Sequence, residues 1–132
     1  MNSYQRGLAA EHTAIARLLE DGRELATPKN PQVKYDLLLW DRQWCVLSFD
    51  FSHEAWCRVQ IKRAYRRENS WRVDLRAWGG RKDRRIYGPD DLEFLCVVAG
   101  DEVFLVPWSC VRARQTFSLG PWITQYRVGR EA

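Results

Sequence analysis

Hydrophobic and polar positions in the first twenty residues repeat with the period of an α-helix. The pattern predicts a helix that is capped by Asn2 or Ser3 and ends near Glu20, before Asp21-Gly22. Its apolar face is marked by four residues, Leu8, Ile15, Leu18 and Leu19. Glu11 falls on that face at 100° per residue. A carboxylate directed toward a core is costly unless it is paired or binds a metal, but a boundary glutamate that reaches water explains the position equally well.

The patterns that follow the helix predict β-strands. In the run 35–40, Asp36 precedes a continuously apolar stretch at 37–39, as in a strand buried on both faces. The run 56–64 alternates, so that Arg58, Gln60 and Lys62 share one face while Val59 and Ile61 take the other. The other predicted elements are strands at 24–27, 44–51, 71–76, 94–99 and 103–106, turns at 50–54 and 100–101, a loop at 79–85 and a helical turn starting at 87–91.

Composition indicates a small α/β domain. The chain has 132 residues, of which 45% are hydrophobic and 29% charged, so we expect one domain, 1–132, with one core. No apolar run approaches the roughly 20 residues that cross a bilayer, which predicts no membrane partner. The N-terminal residues lack the apolar core of a signal peptide, so we expect a cytoplasmic protein.

The four cysteines indicate packing rather than metal binding. They stand at positions 45, 57, 96 and 110, and no Cys-x-x-Cys is present. In a reducing compartment such cysteines are free thiols that pack as small hydrophobic residues. A zinc knuckle or a disulfide is the less favoured interpretation.

Positive charge is concentrated in the middle of the chain. Residues 58–85 hold eleven Lys or Arg and three acidic residues, a balance of +8, so the rest of the chain carries −4 of the formal net charge of +4. Such a zone suits a phosphate backbone, although charges that protect an exposed strand edge are the alternative. Trp78, beside this zone, is a candidate for base stacking or for a structural role. The candidate DNA contacts are Arg58, Arg63, Arg66, Arg67, Arg81, Lys82, Arg84 and Arg85.

Several stretches together resemble the PD-(D/E)xK nuclease superfamily, and in particular the group I intron homing endonucleases of that fold and the archaeal-type Holliday-junction resolvases. They span roughly residues 7–107 and comprise Gly7-Leu8-Ala9-Ala10-Glu11, Lys34-Tyr35-Asp36-Leu37, Val59-Gln60-Ile61-Lys62-Arg63 and Tyr87-Gly88-Pro89-Asp90-Asp91-Leu92. The resemblance implies a restriction-endonuclease-like α/β core, with a mixed β-sheet of about five strands flanked by helices. It also implies a homodimer or homotetramer acting on DNA, since cutting two strands requires two sites.

The resemblance further implies metal-assisted phosphodiester hydrolysis. The implied catalytic residues are Glu11, Asp36, Gln60 and Lys62. Asp36, Gln60, the Ile61 carbonyl and Glu11 would bind Mg²⁺, for which Mn²⁺ substitutes, while Lys62 would orient the attacking water or stabilise the transition state. Two positions depart from the superfamily pattern: Tyr35 replaces Pro, and Gln60 replaces an acidic residue. The glutamine removes a negative charge that Glu11 would restore.

Three classes of function follow from the sequence. The first is a DNA endonuclease acting on double-stranded or branched DNA. The second is a catalytically inactive DNA-binding protein on the same fold, which Gln60 favours. The third is an interaction protein without a nucleic-acid role, in which the basic zone is a solvated strand edge.

Overall fold

The computed structural model describes residues 1–30, 32–33, 35–40, 56–78, 84–86, 92–111 and 114–129. The strand and turn predicted at 44–54, the loop segment 79–83 and the helical turn at 87–91 lie outside these residues. So do Cys45 and two of the candidate DNA contacts, Arg81 and Lys82. The rest of the predicted loop, 84–85, was wrong, because these residues lie in a strand, Arg84–Ile86, that pairs with Arg76–Trp78.

The predicted N-terminal helix is confirmed as α1 (Ser3–Glu20), and its start is fixed by a capping box. The Gln5 N–H donates to Asn2 Oδ1 at 2.9 Å, and the Asn2 N–H donates to Gln5 Oε1 at 3.0 Å. These two bonds satisfy donors that the first helical turn leaves without intrahelical partners.

The predicted apolar face of α1 was partly wrong. The buried residues are Ala10, Ala14 and Leu18, whereas Leu8 is 41% exposed and Leu19 is 55% exposed. Leu8 and Leu19 lie about 120° and 140° around the helix from Ala14 at 100° per residue. The two alanines allow the helix to pack closely on the sheet, so the larger leucines flank the contact instead of forming it.

The strands of the described residues form one main sheet and two smaller ones. In chain order they are β1 (Leu25–Ala26), β2 (Leu37–Trp40), β3 (Trp56–Arg63), β4 (Tyr65–Arg67), β5 (Ser70–Asp74), β6 (Arg76–Trp78), β7 (Arg84–Ile86), β8 (Phe94–Ala99), β9 (Glu102–Pro107) and β10 (Thr116–Ser118). The main sheet has the order β1-β2-β3-β8-β9, and in it β3 and β8 are parallel while the other neighbours are antiparallel. This mixed five-stranded sheet confirms the predicted fold class.

The main sheet carries a separate core on each of its two faces. Val59, Ile61 and Cys96 belong to the core that α1 covers. Leu95 and Val97 belong to the other core, which the small sheet β10-β5-β4 covers. In the described part of the chain, one face of the sheet is therefore flanked by a helix and the other by a second sheet.

Strand β2 does not have the complete burial that its apolar run predicted. Leu37 and Leu39 are buried in the α1 core, whereas Leu38 is half-buried and Trp40 is 37% exposed. The second core covers β8 and β9 but includes no residue of β2. The outer face of β2 is therefore only partly covered.

The cysteine prediction is confirmed for two positions: Cys57 and Cys96 are buried and free. Cys110 is also free but exposed, in a 3-10 helical turn, Trp108–Cys110. The C-terminal region adds β10 and a second 3-10 helix, Pro121–Tyr126, neither of which was predicted. No helix in the described ranges is long and apolar enough to cross a membrane.

Adjacent leucines of α1 provide a test of this packing. Leu18→Ala should lower the free energy of unfolding by about 3 kcal/mol, because Leu18 is fully buried and its truncation leaves a cavity. Leu19→Ala, the matched control, should change it by less than about 0.5 kcal/mol, because Leu19 is exposed. Urea unfolding measures both, and equal losses would contradict the assigned helix face.

Candidate functional site

Strand β3 continues past Leu37, the first residue of its antiparallel partner β2, and the candidate site lies at this step. The two strands pair from Trp40 opposite Trp56 to Leu37 opposite Val59, while β3 continues to Arg63 alongside β8. Asp36 stands immediately before β2, and its N–H donates to the Val59 carbonyl at 2.9 Å. The backbone on the β2 side of Gln60–Arg63 thus lies beyond the end of the ladder.

The Asp36 carboxylate takes the place of the next ladder partner. Its Oδ2 accepts hydrogen bonds from the Ile61 N–H and from Gln60 Nε2, each at 2.7 Å. Backbone groups of a strand alternate in direction, and the Arg58 carbonyl and Ala64 N–H both bond toward β8. The Ile61 carbonyl therefore points toward Asp36, and Gln60 Nε2 lies 3.4 Å from it.

Burial makes the Asp36 carboxylate unusually basic. It raises the pKa of Asp36 from its ordinary value of 3.8 to about 6, against the hydrogen bond from Ile61, which lowers it. The charge of Glu11 raises this pKa further, while that of Lys62 lowers it. Glu11 on α1 and Lys62 on β3 therefore lie within electrostatic range of Asp36.

The charges of two carboxylates, Asp36 and Asp74, act on Lys62. Burial lowers the pKa of Lys62, while the charges of Asp36 and Asp74 oppose the shift. Asp74 ends β5 and is half-buried. The pattern at 71–76 predicted a strand but not its neighbours, so Asp74 was not among the predicted site residues. The contact between β5 and β3 was the missing information.

The candidate DNA contacts differ in their surroundings. Arg58 is held by Glu93, which precedes β8, through Nη2–Oε2 at 2.6 Å and Nε–Oε2 at 2.9 Å. Glu93 is another residue that sequence analysis missed, since it lies 35 positions from Arg58. Arg63, Arg66 and Arg67 are exposed beyond the end of β2.

Two further candidate DNA contacts lie in the small sheet formed by β6 and β7. Arg84 and Arg85 lie in β7, which pairs with β6. Trp78, the stacking candidate, lies in β6, opposite Arg84. The backbone thus places both arginines and the tryptophan in one two-stranded ribbon.

The donor atoms around Asp36 are of the type that hard divalent cations prefer. Carboxylate oxygens of Asp36 and Glu11, the Ile61 carbonyl and the Gln60 amide oxygen are all hard oxygen ligands. The amide of Gln60 now presents its nitrogen to Asp36, so its oxygen becomes available only when the amide rotates. In the described ranges, no group of three or more His, Cys, Asp or Glu side chains is positioned to bind a metal. By their chemistry, two carboxylates and two neutral oxygens make a donor set of the kind that Mg²⁺ takes.

Comparison with known proteins gives a likeness of fold. No family model matches the chain, and no curated protein matches it. Its fold is similar to that of a bacterial homing endonuclease. That solved structure, of I-Ssp6803I, aligns with a TM-score of 0.73 and 20% sequence identity, over 96% of this chain and 89% of the other. At this identity the likeness establishes the fold.

The raised pKa of Asp36 predicts a dependence of stability on pH. Between about pH 4 and 6 the Asp36 carboxyl group holds more of its proton in the folded protein than in the unfolded chain, so its contribution to stability should fall as pH rises through this window. The Asp36→Asn variant has no group that titrates at this position. Its free energy of unfolding, relative to that of the wild type, should therefore rise by at most about 3 kcal/mol across the window. Urea unfolding at several pH values measures the difference. Asp101→Asn, in the exposed turn after β8, controls for the loss of one negative charge. If the difference in free energy of unfolding between Asp36→Asn and the wild type does not change with pH, the raised pKa of Asp36 is contradicted.

Proposed function

We propose that the protein is a metal-dependent DNA endonuclease of the PD-(D/E)xK type. The observation that supports this best is the Asp36 carboxylate, held by the Ile61 N–H beyond the end of β2, with Lys62 and Glu11 close to it. The likeness of the fold to that of a homing endonuclease supports the same class of reaction. The substrate would be double-stranded or branched DNA, cut by hydrolysis of a phosphodiester bond.

The proposed metal is Mg²⁺, for which Mn²⁺ would substitute. Asp36 and Glu11 would supply charged ligands, and Gln60 and the Ile61 carbonyl neutral ones. A bound divalent cation lowers the pKa of coordinated water and neutralises charge on the phosphoryl oxygens. The hydrogen bond from the Ile61 N–H fixes the Asp36 carboxylate before any ligand arrives.

Lys62 would act on the attacking water or on the reacting phosphate. Burial lowers the pKa of its ammonium group, so proton release requires less free energy than for an exposed lysine. While protonated, the ammonium group would stabilise the negative charge that develops on the phosphoryl oxygens. Asp36 and Asp74 favour this protonated form, which makes charge stabilisation the role that the surroundings support better.

Cleavage of duplex DNA also requires contacts with the phosphate backbone of the DNA and a second active site. Arg63, Arg66 and Arg67 would contact phosphates next to Lys62, whereas Arg58 is engaged by Glu93. A homodimer or homotetramer would supply two sites for two strands. We further propose a cytoplasmic location, where DNA is available. Homing-type cleavage and junction resolution both fit this arrangement.

One observation favours a second candidate, a catalytically inactive DNA-binding protein. The Gln60 amide nitrogen donates to Asp36 and thereby occupies the oxygen that a metal would use. A glutamine also leaves the site with one fewer carboxylate than an acidic residue would give. In this alternative the basic surface binds DNA while Asp36 and Gln60 form a structural hydrogen bond.

Plasmid cleavage separates the two candidates. Wild-type protein should cut plasmid DNA in Mg²⁺ or Mn²⁺ and stop when the metal is chelated. Asp36→Ala and Lys62→Ala should each lower the cleavage rate by at least about 10²-fold, because each removes a charge at the reacting centre. Gel shifts in Ca²⁺ should show largely intact DNA binding by both variants.

Lys29→Ala is the matched control, because Lys29 is an exposed lysine in the loop after β1. It should cleave like wild type. Undiminished cleavage by Asp36→Ala would remove the proposed active site. Wild-type protein that binds DNA without cutting it would leave the second candidate.

Gln60→Glu tests the metal site by a measurement other than cleavage. A third carboxylate should tighten Mn²⁺ binding in calorimetry, by about tenfold near pH 8. Without metal, the same variant should be less stable than wild type, since two carboxylates would then face each other. Stability and Mn²⁺ affinity that both remain at the wild-type level would contradict the proposed ligand set.

A further inference from the structure

The strands β4 and β5 form a hairpin whose tip is unusually polar. Arg67 pairs with Ser70, so the loop consists of two residues, Glu68 and Asn69. All four residues from 66 to 69 are exposed. Between residues 63 and 72 there are four arginines and one acidic residue, Glu68. The hairpin thus presents a basic stem and a tip with one carboxylate and one amide.

The backbone at the tip is held in a conformation that does not suit its side chain. Glu68 has φ +59°, the only such non-glycine residue among those described. A positive φ at the first loop residue is typical of a type II′ turn, where glycine is favoured. A side chain there costs about 1–2 kcal/mol, and such strain is often retained for function.

The stem arranges its arginines on defined faces. Arg66 and Trp71 are cross-strand partners, and the Arg66 guanidinium carbon lies 5.4 Å from the centre of the Trp71 ring. The partners of the opposite face are Tyr65 with Arg72 and Arg67 with Ser70. Arg67 and Arg72 therefore share the face that is turned away from the core.

The hairpin is tied directly to the strand that carries Lys62. Ala64 alone separates β3 from β4; it is 1% exposed, and its N–H donates to the Val98 carbonyl at 2.8 Å. Glu68 stands six positions after Lys62, so their Cα atoms are at most about 20 Å apart at 3.3 Å per residue. At about 3.4 Å per step along B-DNA, this reach corresponds to no more than about six base pairs.

We infer that the β4–β5 hairpin enters a groove of duplex DNA and reads bases within about six base pairs of the phosphate next to Lys62. This inference rests on the proposed function, because Lys62 marks the cut. A two-stranded ribbon fits the major groove. Arg67 and Arg72 contact phosphates, while Asn69 and Glu68 meet base edges. An asparagine amide pairs with adenine, and a glutamate accepts from the cytosine amino group.

The test uses a library of randomised duplex DNA. Complexes are selected by gel shift in Ca²⁺ and sequenced, and the same library is cut in Mn²⁺ to locate the preferred bases relative to the cut. Wild-type protein should show preferences within about six base pairs on one side of the cut. Asn69→Ala should flatten them, and the control Lys29→Ala should keep them.

Glu68→Gly separates base reading from folding. Glycine relieves the positive φ, so urea unfolding should show a more stable protein. Affinity for the mixed library should stay level or rise, because a negative charge is lost, while base preference should fall. If Glu68→Gly lowers both the base preference and the free energy of unfolding, the inference is overturned. It is also overturned if Glu68→Gly and Asn69→Ala both keep the base preference of the wild type.

The phosphate contact has its own measurement. Arg67→Ala should weaken binding of all duplexes alike and reduce the slope of log affinity against log salt by about one. An unchanged slope would overturn this part of the inference.

Failure of the proposed function gives a different result. If wild-type protein leaves the library uncut, the endonuclease proposal fails, while the selection in Ca²⁺ still tests base reading by the hairpin. Tighter binding of single-stranded or duplex RNA than of the DNA library would overturn the hairpin inference alone if DNA cleavage persists.

Discussion

The site depends on one hydrogen-bonding constraint, which is the Ile61 N–H beyond the end of β2. Buried backbone donors need a partner. Since β2 begins only at Leu37, a side chain must supply the acceptor, and Asp36 does so at 2.7 Å. The same bond explains why a carboxylate persists in a place where burial opposes its charge. Asp36 therefore both completes the hydrogen bonding of β3 and provides the carboxylate of the candidate site.

The two cores explain how β3 holds polar groups in the middle of a sheet. One set of its side chains, which includes Val59 and Ile61, is buried beneath α1. Gln60 and Lys62 point to the other face, where the second core covers β8 but not β2. The polar side chains therefore lie at the edge of a packed layer, which gives them partial burial and a route to solvent.

Local patterns predicted the five strands of the main sheet, but not β4, β7 or β10, and not the contacts between strands. The alternation at Arg58–Lys62 predicted β3 and its two faces, because a period of two depends only on neighbouring residues. The face of α1 was misjudged since its alanines contribute little to a hydrophobic pattern. Glu93 and Asp74 approach Arg58 and Lys62 only through tertiary structure, so no local signal could reveal them. The roles of the site residues remain predictions.

The parallel pairing of β3 with β8 has a consequence for the order of folding. Antiparallel neighbours can pair as soon as a turn closes, whereas β3 must wait for a segment that begins some thirty residues later. Closing that long loop costs entropy before any contact compensates for it. During synthesis, the strand carrying Lys62 would lack its inner neighbour until β8 has left the ribosome. The candidate site is therefore completed late, so the nascent chain has no assembled centre while most of it is being made.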